Sequence, residues 1–186
     1  VFDFSGNLNI AEFIKTADEE GLMVIVRPGP YICAEWEFGG LPWWIQTNPN
    51  MEIRCSNKEY IRFFDRYLDK IFEQIRPFLC TCGGPVIMLQ CENEYGYYGD
   101  DKEYLQYLRD SYIKKGIDVP LFTSDGTGRD NLLDGNIEGC LPTLNFGSRV
   151  EENFRAFNTL YPDKPKMCME MWNGWFDAWG DEKHHT

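Results

Sequence analysis

The chain has 186 residues, close to the size of one domain, and 43% of them are hydrophobic, which is enough to bury a core and argues against disorder. Its 18 basic and 30 acidic residues give a net charge of −12, and such an acidic chain repels nucleic acid and anionic membrane surfaces. No stretch approaches the roughly 18 uninterrupted apolar residues of a membrane-spanning helix. We therefore expect no nucleic-acid partner and no membrane partner.

The hydrophobic pattern predicts helices that alternate with short apolar strands, separated by loops rich in glycine and proline. The longest such loop covers 27–44. In chain order the predicted elements are a helix over 8–20, a strand over 23–26, a helix over 57–76, a strand over 86–90, a helix over 102–115, a strand over 121–123, a short helix around 131–133, a strand over 141–146, a helix over 149–160 and a strand over 166–169.

Alternating strands and helices are typical of parallel βα units, and strands this apolar are expected to be covered on both faces. An open doubly wound sheet and a (β/α)8 barrel both fit this α/β pattern. No GxGxxG or GxxxxGK[ST] motif follows a strand, which disfavours the nucleotide-binding form of the open sheet. A whole barrel needs eight strands and about 250 residues, so we expect a part of a barrel, cut at both ends from a longer chain.

Carboxylates and aromatic side chains follow the predicted strands, where a barrel places its active site. Glu94 comes just after the second strand, and Glu170 directly follows the last one. Glycoside hydrolysis needs two carboxyl groups that flank one bond, and tryptophans stack on the apolar faces of sugars. A single glutamate at a strand end is most often a solvated loop residue, but two within Trp-rich loops favour a catalytic pair. The tryptophans available are Trp36, Trp43, Trp44, Trp172 and Trp175.

Three other carboxylates near the strand ends have competing interpretations. Glu92 is an alternative to Glu94 as the catalytic acid. It precedes Glu94 by two residues, so on an extended strand both side chains would point the same way. Glu92 lacks a preceding Asn, however, which favours Glu94. Asp125 could be a third catalytic carboxylate, although the SDG sequence favours an ordinary turn. Glu35 could bind a sugar or could pair with an arginine such as Arg27.

The seven cysteines are odd in number and irregular in spacing, and they include no paired CxxC motifs. This pattern disfavours a zinc site, so we expect no metal and no cofactor. It favours reduced, buried thiols and a cytoplasmic protein. The cysteines are Cys33, Cys55, Cys80, Cys82, Cys91, Cys140 and Cys168.

Four segments closely resemble the family 35 glycoside hydrolases, the β-galactosidases. They are RPGPYICAEWEFGGLPWW, GGPVIMLQCENEYG, PLFTSDG and MCMEMWNGWFDAWG, and the resemblance runs in order along essentially the whole chain. It implies that residues 1–186 are part of one catalytic (β/α)8 barrel, covering about strands 3 to 7. Strands 1, 2 and 8 would then lie outside the chain.

The resemblance also implies roles for individual residues. Glu94 matches the acid/base that follows strand 4 of the family barrel, and Glu170 matches the nucleophile that follows strand 7. Asn93 matches the asparagine that hydrogen-bonds the 2-hydroxyl of the sugar. A retaining β-galactosidase would use this pair in a double displacement, releasing terminal non-reducing β-D-galactose through a covalent glycosyl-enzyme intermediate.

Further matches concern substrate binding. Ala34 and Glu35 match positions that bind the galactose hydroxyls, and Trp172 matches an aromatic residue that lines the pocket. The chain departs from the family pattern at Cys91, where relatives often have an aliphatic residue, and at Ala178, where a histidine is common.

The expected partners are a galactoside or oligosaccharide substrate and the remainder of the parent chain. A second hypothesis is a non-catalytic carbohydrate-binding protein or an inert barrel fragment.

Overall fold

Five parallel strands form one sheet in chain order, so each strand pairs with the next one along the chain. The computed structural model describes residues 1–184, apart from the side chain of Glu37. The sheet is a curled half-barrel, as expected for part of a (β/α) barrel. Its strands are β1 (Val24–Val26), β2 (Val86–Gln90), β3 (Leu121–Gly126), β4 (Leu141–Phe146) and β5 (Cys168–Met171).

Helices connect the strands and cover the outer face of the sheet. Short 3₁₀ turns lie in the loops, including Glu37–Gly40, Trp43–Thr47 and Tyr95–Tyr97. The α-helices are α1 (Ile10–Glu19), α2 (Lys58–Ile75), α3 (Lys102–Lys114), α4 (Arg129–Gly135) and α5 (Val150–Leu160).

Three of the helices, α1, α2 and α3, begin at a capping side chain. The side chain of Asn9 accepts a hydrogen bond from the backbone of Glu12, and Asn57 caps α2 in the same manner. Asp101 caps α3 by accepting from the amide of Tyr104. Such caps satisfy backbone donors that have no partner inside the helix, so they fix where each helix begins.

The sequence predictions of β2 and β4 are confirmed to the residue, and the predicted helices agree with the structure within about two residues. The strand predicted over 121–123 is longer, because β3 pairs with β4 as far as Gly126. Asp125 therefore lies inside a buried strand, opposite Leu144, and the turn interpretation of this residue is wrong.

The last strand begins and ends two residues later than predicted. It covers Cys168–Met171, because Asn145 and Phe146 of β4 pair with Glu170 and Met171. Glu170 is thus part of β5 and does not follow it. The side chain is consequently held by the strand backbone and not by a loop.

The main core lies between the sheet and helices α2 and α3. The apolar face of α2 is almost fully buried, and Phe72 meets Tyr112 of α3 edge to face with 4.8 Å between ring centroids. A smaller cluster under α5 contains Leu132, Leu144 and Phe157. These two clusters fix the helices on the outside of the sheet and leave its carboxyl end open.

The burial prediction for the cysteines is wrong for three of them. All seven are free thiols, but Cys33, Cys80 and Cys82 are exposed, and only Cys91 and Cys140 are buried. The exposed cysteines lie in loops, whose side chains the hydrophobic pattern does not place. The cytoplasmic location inferred from the cysteines stays a prediction. Within residues 1–184, no helix combines the length and apolar character needed to cross a membrane.

Candidate active site

A cavity of about 560 Å³ lies at the carboxyl end of the sheet, and both predicted catalytic glutamates line it. Parallel strands point their carboxyl ends to one side, so side chains distant in sequence meet here. The lining residues are Arg27, Ile32, Cys33, Glu35, Glu94, Glu170, Trp172, Gly174, Trp175 and Phe176.

Glu170 is held by a hydrogen-bond donor on each carboxyl oxygen. The guanidinium of Arg27 donates to Oε1, and the indole Nε1 of Trp172 donates to Oε2 over 3.2 Å. The Glu170 side chain is 21% exposed, so it is partly shielded from water. Arginine and tryptophan side chains can only donate, so both carboxyl oxygens of Glu170 act as acceptors here.

Arg27 follows β1 directly and connects three strand ends. Besides Glu170, its Nε donates to Oε1 of Gln90 over 2.6 Å, and its Nη2 donates to Oδ1 of Asn93 over 2.7 Å. The alternative in which Arg27 pairs with Glu35 is therefore not realised. The sequence analysis predicts Arg27 only as a possible partner of Glu35. The signal for a site residue is its position, because Arg27 is a charged residue immediately after a buried strand.

Glu94 lies four residues beyond β2 in a left-handed backbone conformation, with φ 48° and ψ 40°. Its amide donates to the carbonyl of Ser124 over 2.9 Å, which ties this turn to β3. Nδ2 of Asn145 donates to Oε1 of Glu94 over 2.9 Å. Oε2 of Glu94 has no hydrogen-bond partner within residues 1–184, so this oxygen is available to a ligand.

Asn93 is 2% exposed and lies beside the cavity. Its Oδ1 accepts from Arg27 and from Nε2 of Gln90, the latter over 2.9 Å. With the carbonyl oxygen occupied, the amide nitrogen has no protein partner in the described part of the chain. It can therefore donate to a bound molecule.

Of the other predicted binding residues, Glu35 and Trp172 line the cavity and Ala34 does not. Glu35 is exposed and lines the cavity, whereas Ala34 is half-buried and lies between two lining residues without contacting the cavity itself. Trp172 lines the cavity and meets Trp175 edge to face, with 5.6 Å between ring centroids. Of the five tryptophans considered, only these two line it. Trp44 instead packs against Phe63 of α2.

Glu92 does not point the same way as Glu94, because the backbone between them is not extended. Both residues have positive φ, 58° and 48°, which turns Glu92 away from the cavity and into the protein. There its carboxylate accepts from Nε and Nη2 of Arg54 over 3.0 and 2.8 Å. The hydroxyl of Tyr104 and the amide of Asn93 complete its set of donors. Glu92 is therefore a buried structural anion.

Arg54 is a buried arginine that the sequence pattern does not reveal. Its guanidinium lies over the rings of Tyr31 and Tyr98, at 3.7 and 4.3 Å from the ring centroids. Besides the pair with Glu92, its Nη2 donates to the carbonyl oxygen of Asn93 over 2.7 Å. The Arg54–Glu92 pair thus holds the backbone immediately before Glu94 in place, and cation–π contacts with the two tyrosine rings support it.

Asp125 is the other buried carboxyl group near the site. Burial raises its pKa from 3.8 to about 7, and the negative charges of Glu92 and Glu94 act in the same direction. The amide of Gly96 donates to its Oδ1 over 3.3 Å and opposes this rise. Gly135 packs directly on the carboxyl group, since a Cβ at that position would come within 2.0 Å of Oδ1.

The site has no arrangement of ligands for a metal ion. Among residues 1–184, no three His, Cys, Asp or Glu side chains are grouped closely enough to bind one.

Removing one partner of the Arg54–Glu92 pair should destabilise the fold. We expect Arg54→Met to lower the free energy of unfolding by about 3–5 kcal/mol, because it leaves the Glu92 charge buried without a cation. The double variant Arg54→Met/Glu92→Gln should recover much of this loss. Urea denaturation of the purified protein measures both effects. Arg62→Met is the control, because the exposed pair of Arg62 with Glu59 contributes at most about 1 kcal/mol. A loss equal to that of the control would contradict this account.

Asp125 should make stability depend on pH. The native state holds the Asp125 proton more tightly than the unfolded chain, so this stabilisation is complete below pH 3.8 and is lost as the pH rises through about 7. The two pKa values differ by an amount worth about 4 kcal/mol at most. We expect Asp125→Asn to gain stability relative to the unchanged protein between pH 4 and 7, measured by urea denaturation at several pH values. Asp130→Asn, at an exposed position, should show no such trend, and a flat Asp125→Asn difference would refute the prediction.

Comparison with known proteins identifies the family to which the chain belongs. The family model for glycosyl hydrolases family 35 matches residues 1–186. The chain is 42% identical to beta-galactosidase-1-like protein 3 of Rattus norvegicus, covering 100% of the chain and 29% of that relative. It is 44% identical to a beta-galactosidase of Xanthomonas manihotis, covering 96% of the chain and 30% of the relative. For the beta-galactosidase of Homo sapiens the identity is 39%, over 100% of the chain and 28% of the relative.

The chain therefore spans less than a third of the length of each of these relatives. The match nevertheless extends along all 186 residues, including every strand end that contributes to the cavity. The chain belongs to glycosyl hydrolases family 35.

Proposed function

We propose that the chain supplies the two catalytic carboxyl groups of a retaining β-galactosidase. The observation that carries this proposal is the difference between the two glutamates that line one cavity. Both oxygens of Glu170 accept from donors that cannot themselves accept, whereas Glu94 has one oxygen with a donor and one without a protein partner in the described residues. The first arrangement suits a permanent carboxylate, and the second suits a group that gains and loses a proton.

In the first step, Glu94 protonates the glycosidic oxygen while a carboxyl oxygen of Glu170 attacks the anomeric carbon. The bond from the anomeric carbon to the leaving oxygen breaks, and an ester to Glu170 forms. In the second step, Glu94 takes a proton from water, the water oxygen attacks the anomeric carbon, and the ester bond breaks. The sugar leaves with its original configuration, because two inversions occur at the same carbon.

Arg27 is expected to act on the nucleophile throughout this cycle. Its guanidinium stabilises the Glu170 carboxylate before attack and again when the ester breaks. It also orients Asn93, whose amide nitrogen would donate to the 2-hydroxyl of the sugar. Such a bond supports catalysis because hydrogen bonds to this hydroxyl strengthen in the transition state.

Galactose is proposed as the sugar because relatives matched along 96–100% of the chain bear the name beta-galactosidase. The positions of Glu35 and Trp172 in the cavity lining support roles in binding its hydroxyls and its apolar face. Ala34 does not line the cavity, so its role in binding the sugar hydroxyls stays a prediction.

We also propose that the chain works as part of a longer protein, with β1 to β5 as strands 3 to 7 of a closed barrel. This proposal is supported by its coverage of only 28–30% of the relatives compared above. It is also supported by the sheet, in which β1 and β5 each pair on one side only among the described residues. Such open edges favour aggregation, so the isolated chain is expected to be inert. Turnover of a β-galactoside by the isolated chain would contradict that expectation.

Replacing each glutamate in the full-length protein tests the assigned roles. Glu170→Gln should abolish turnover of every β-galactoside, because no nucleophile remains. Glu94→Gln should lower kcat/KM for lactose by about 10²–10⁴-fold, the usual contribution of general acid catalysis. It should largely spare kcat/KM for 2,4-dinitrophenyl β-galactoside, whose leaving group needs no proton.

Glu138→Gln, at an exposed position outside the cavity, is the matched control and should behave like the unchanged protein. If Glu94→Gln and Glu170→Gln lose the same factor on both substrates, the roles are assigned wrongly. A full-length protein that hydrolyses neither substrate would point to the alternative of a non-catalytic carbohydrate-binding protein.

A further inference from the structure

A short chain of hydrogen bonds reaches Glu94 from the neighbouring strands. The hydroxyl of Ser124 on β3 donates to Oδ1 of Asn145 on β4 over 2.7 Å. Nδ2 of the same asparagine donates to Oε1 of Glu94 over 2.9 Å. Ser124 is 1% exposed and Asn145 is 2% exposed, so water does not compete for these bonds.

The arrangement decides which oxygen of Glu94 can hold a proton. An asparagine amide whose oxygen accepts from a hydroxyl presents its N–H groups on the other side, and an N–H cannot accept. Oε1 of Glu94 is therefore occupied as an acceptor, and a proton placed there would oppose the Asn145 donor. Oε2, which has no partner in the described part of the chain, is left as the protonated oxygen.

We propose that Asn145, oriented by Ser124, is a positioning residue that keeps the catalytic proton of Glu94 on Oε2. This inference rests on the proposed role of Glu94 as acid/base. During the first step the Oε2–H bond breaks and an O–H bond forms on the leaving oxygen, so negative charge develops on the Glu94 carboxyl group. The hydrogen bond from Asn145 strengthens as this charge develops, because a carboxylate is a better acceptor than a carboxylic acid.

The register of the sheet places Asn145 between β3 and β5. It pairs with Glu170 on β5 and with Gly126 on β3, next to the buried Asp125. A neutral amide supplies a donor at this point without adding a charge. An aspartate there would bring a further carboxyl group to a site that already holds those of Glu94, Glu170 and Asp125.

The experiment compares two leaving groups in the full-length protein, using kcat/KM because it reports the first chemical step for both. Asn145→Ala should lower kcat/KM for lactose by about 10- to 100-fold, the range expected for one hydrogen bond to a charged group. It should change kcat/KM for 2,4-dinitrophenyl β-galactoside by about 3-fold or less, because that leaving group needs no acid. A purely structural role would lower both values by the same factor.

Two further variants make the test specific. Ser124→Ala should show the same selectivity with a smaller loss for lactose, because the amide of Asn145 remains but is no longer held. Thr143→Val is the matched control on the same strand: its hydroxyl is fully buried and donates to the carbonyl of Thr123 over 2.7 Å, away from Glu94. Any loss in this variant should be equal for the two substrates. Thermal unfolding of each variant verifies that it folds.

Equal losses on both substrates in Asn145→Ala, or no loss on either, would overturn the inference. If Asn145→Ala does not fold, Ser124→Ala decides by the same criterion. Glu94→Gln is measured in parallel to separate this inference from the proposed function. If Glu94→Gln shows no selectivity between the substrates, both fail. If it does and the Asn145 and Ser124 variants do not, only the role of Asn145 is refuted.

Discussion

The guanidinium of Arg27 is the interaction on which the site depends. One side chain donates to Gln90, Asn93 and Glu170, and so joins the ends of β1, β2 and β5. A half-buried carboxylate needs such a partner, because burying an unpaired charge costs far more than a hydrogen bond returns. The position of Glu170 and the orientation of the Asn93 amide are thus set by the same cation. Arg27 is itself placed by β1, which it follows directly.

A second arginine supports the side of the cavity that carries Glu94. Arg54 pairs with Glu92 and donates to the carbonyl of Asn93, and its side chain is almost fully buried beneath tyrosine rings. In the turn that carries Glu94, both Glu92 and Glu94 have positive φ, a backbone conformation that residues other than glycine seldom adopt. The buried ion pair fixes this turn, and the hydrogen bond from Asn145 then orients its carboxyl group. Each of the two proposed catalytic glutamates is therefore held by its own arginine or amide donors.

The apolar runs of the sequence predict the strands well, because a short apolar run such as 86–90, bounded by turn residues, is typical of a buried strand. Predictions from the apolar pattern are wrong or incomplete where polar residues are buried. Asp125 lies in an SDG sequence typical of turns, yet pairing with β4 extends the strand through it. Arg54 and Asn145 are also missed, because their partners lie 38 and 51 residues away and local patterns carry no information about such contacts. The two catalytic candidates were found because strand ends and family motifs both point to them.

The most direct test of the account is to trap the covalent intermediate. The full-length protein would be incubated with a 2-deoxy-2-fluoro-β-galactosyl fluoride, whose fluorine slows hydrolysis of the ester, and the labelled peptide would be identified by mass spectrometry. The account predicts a single modified residue, Glu170, in the CMEMW segment. Labelling of Glu94 or Glu92 would contradict the proposed double displacement. It would also be contradicted if the fluorosugar modified no carboxylate while the protein continued to hydrolyse galactosides.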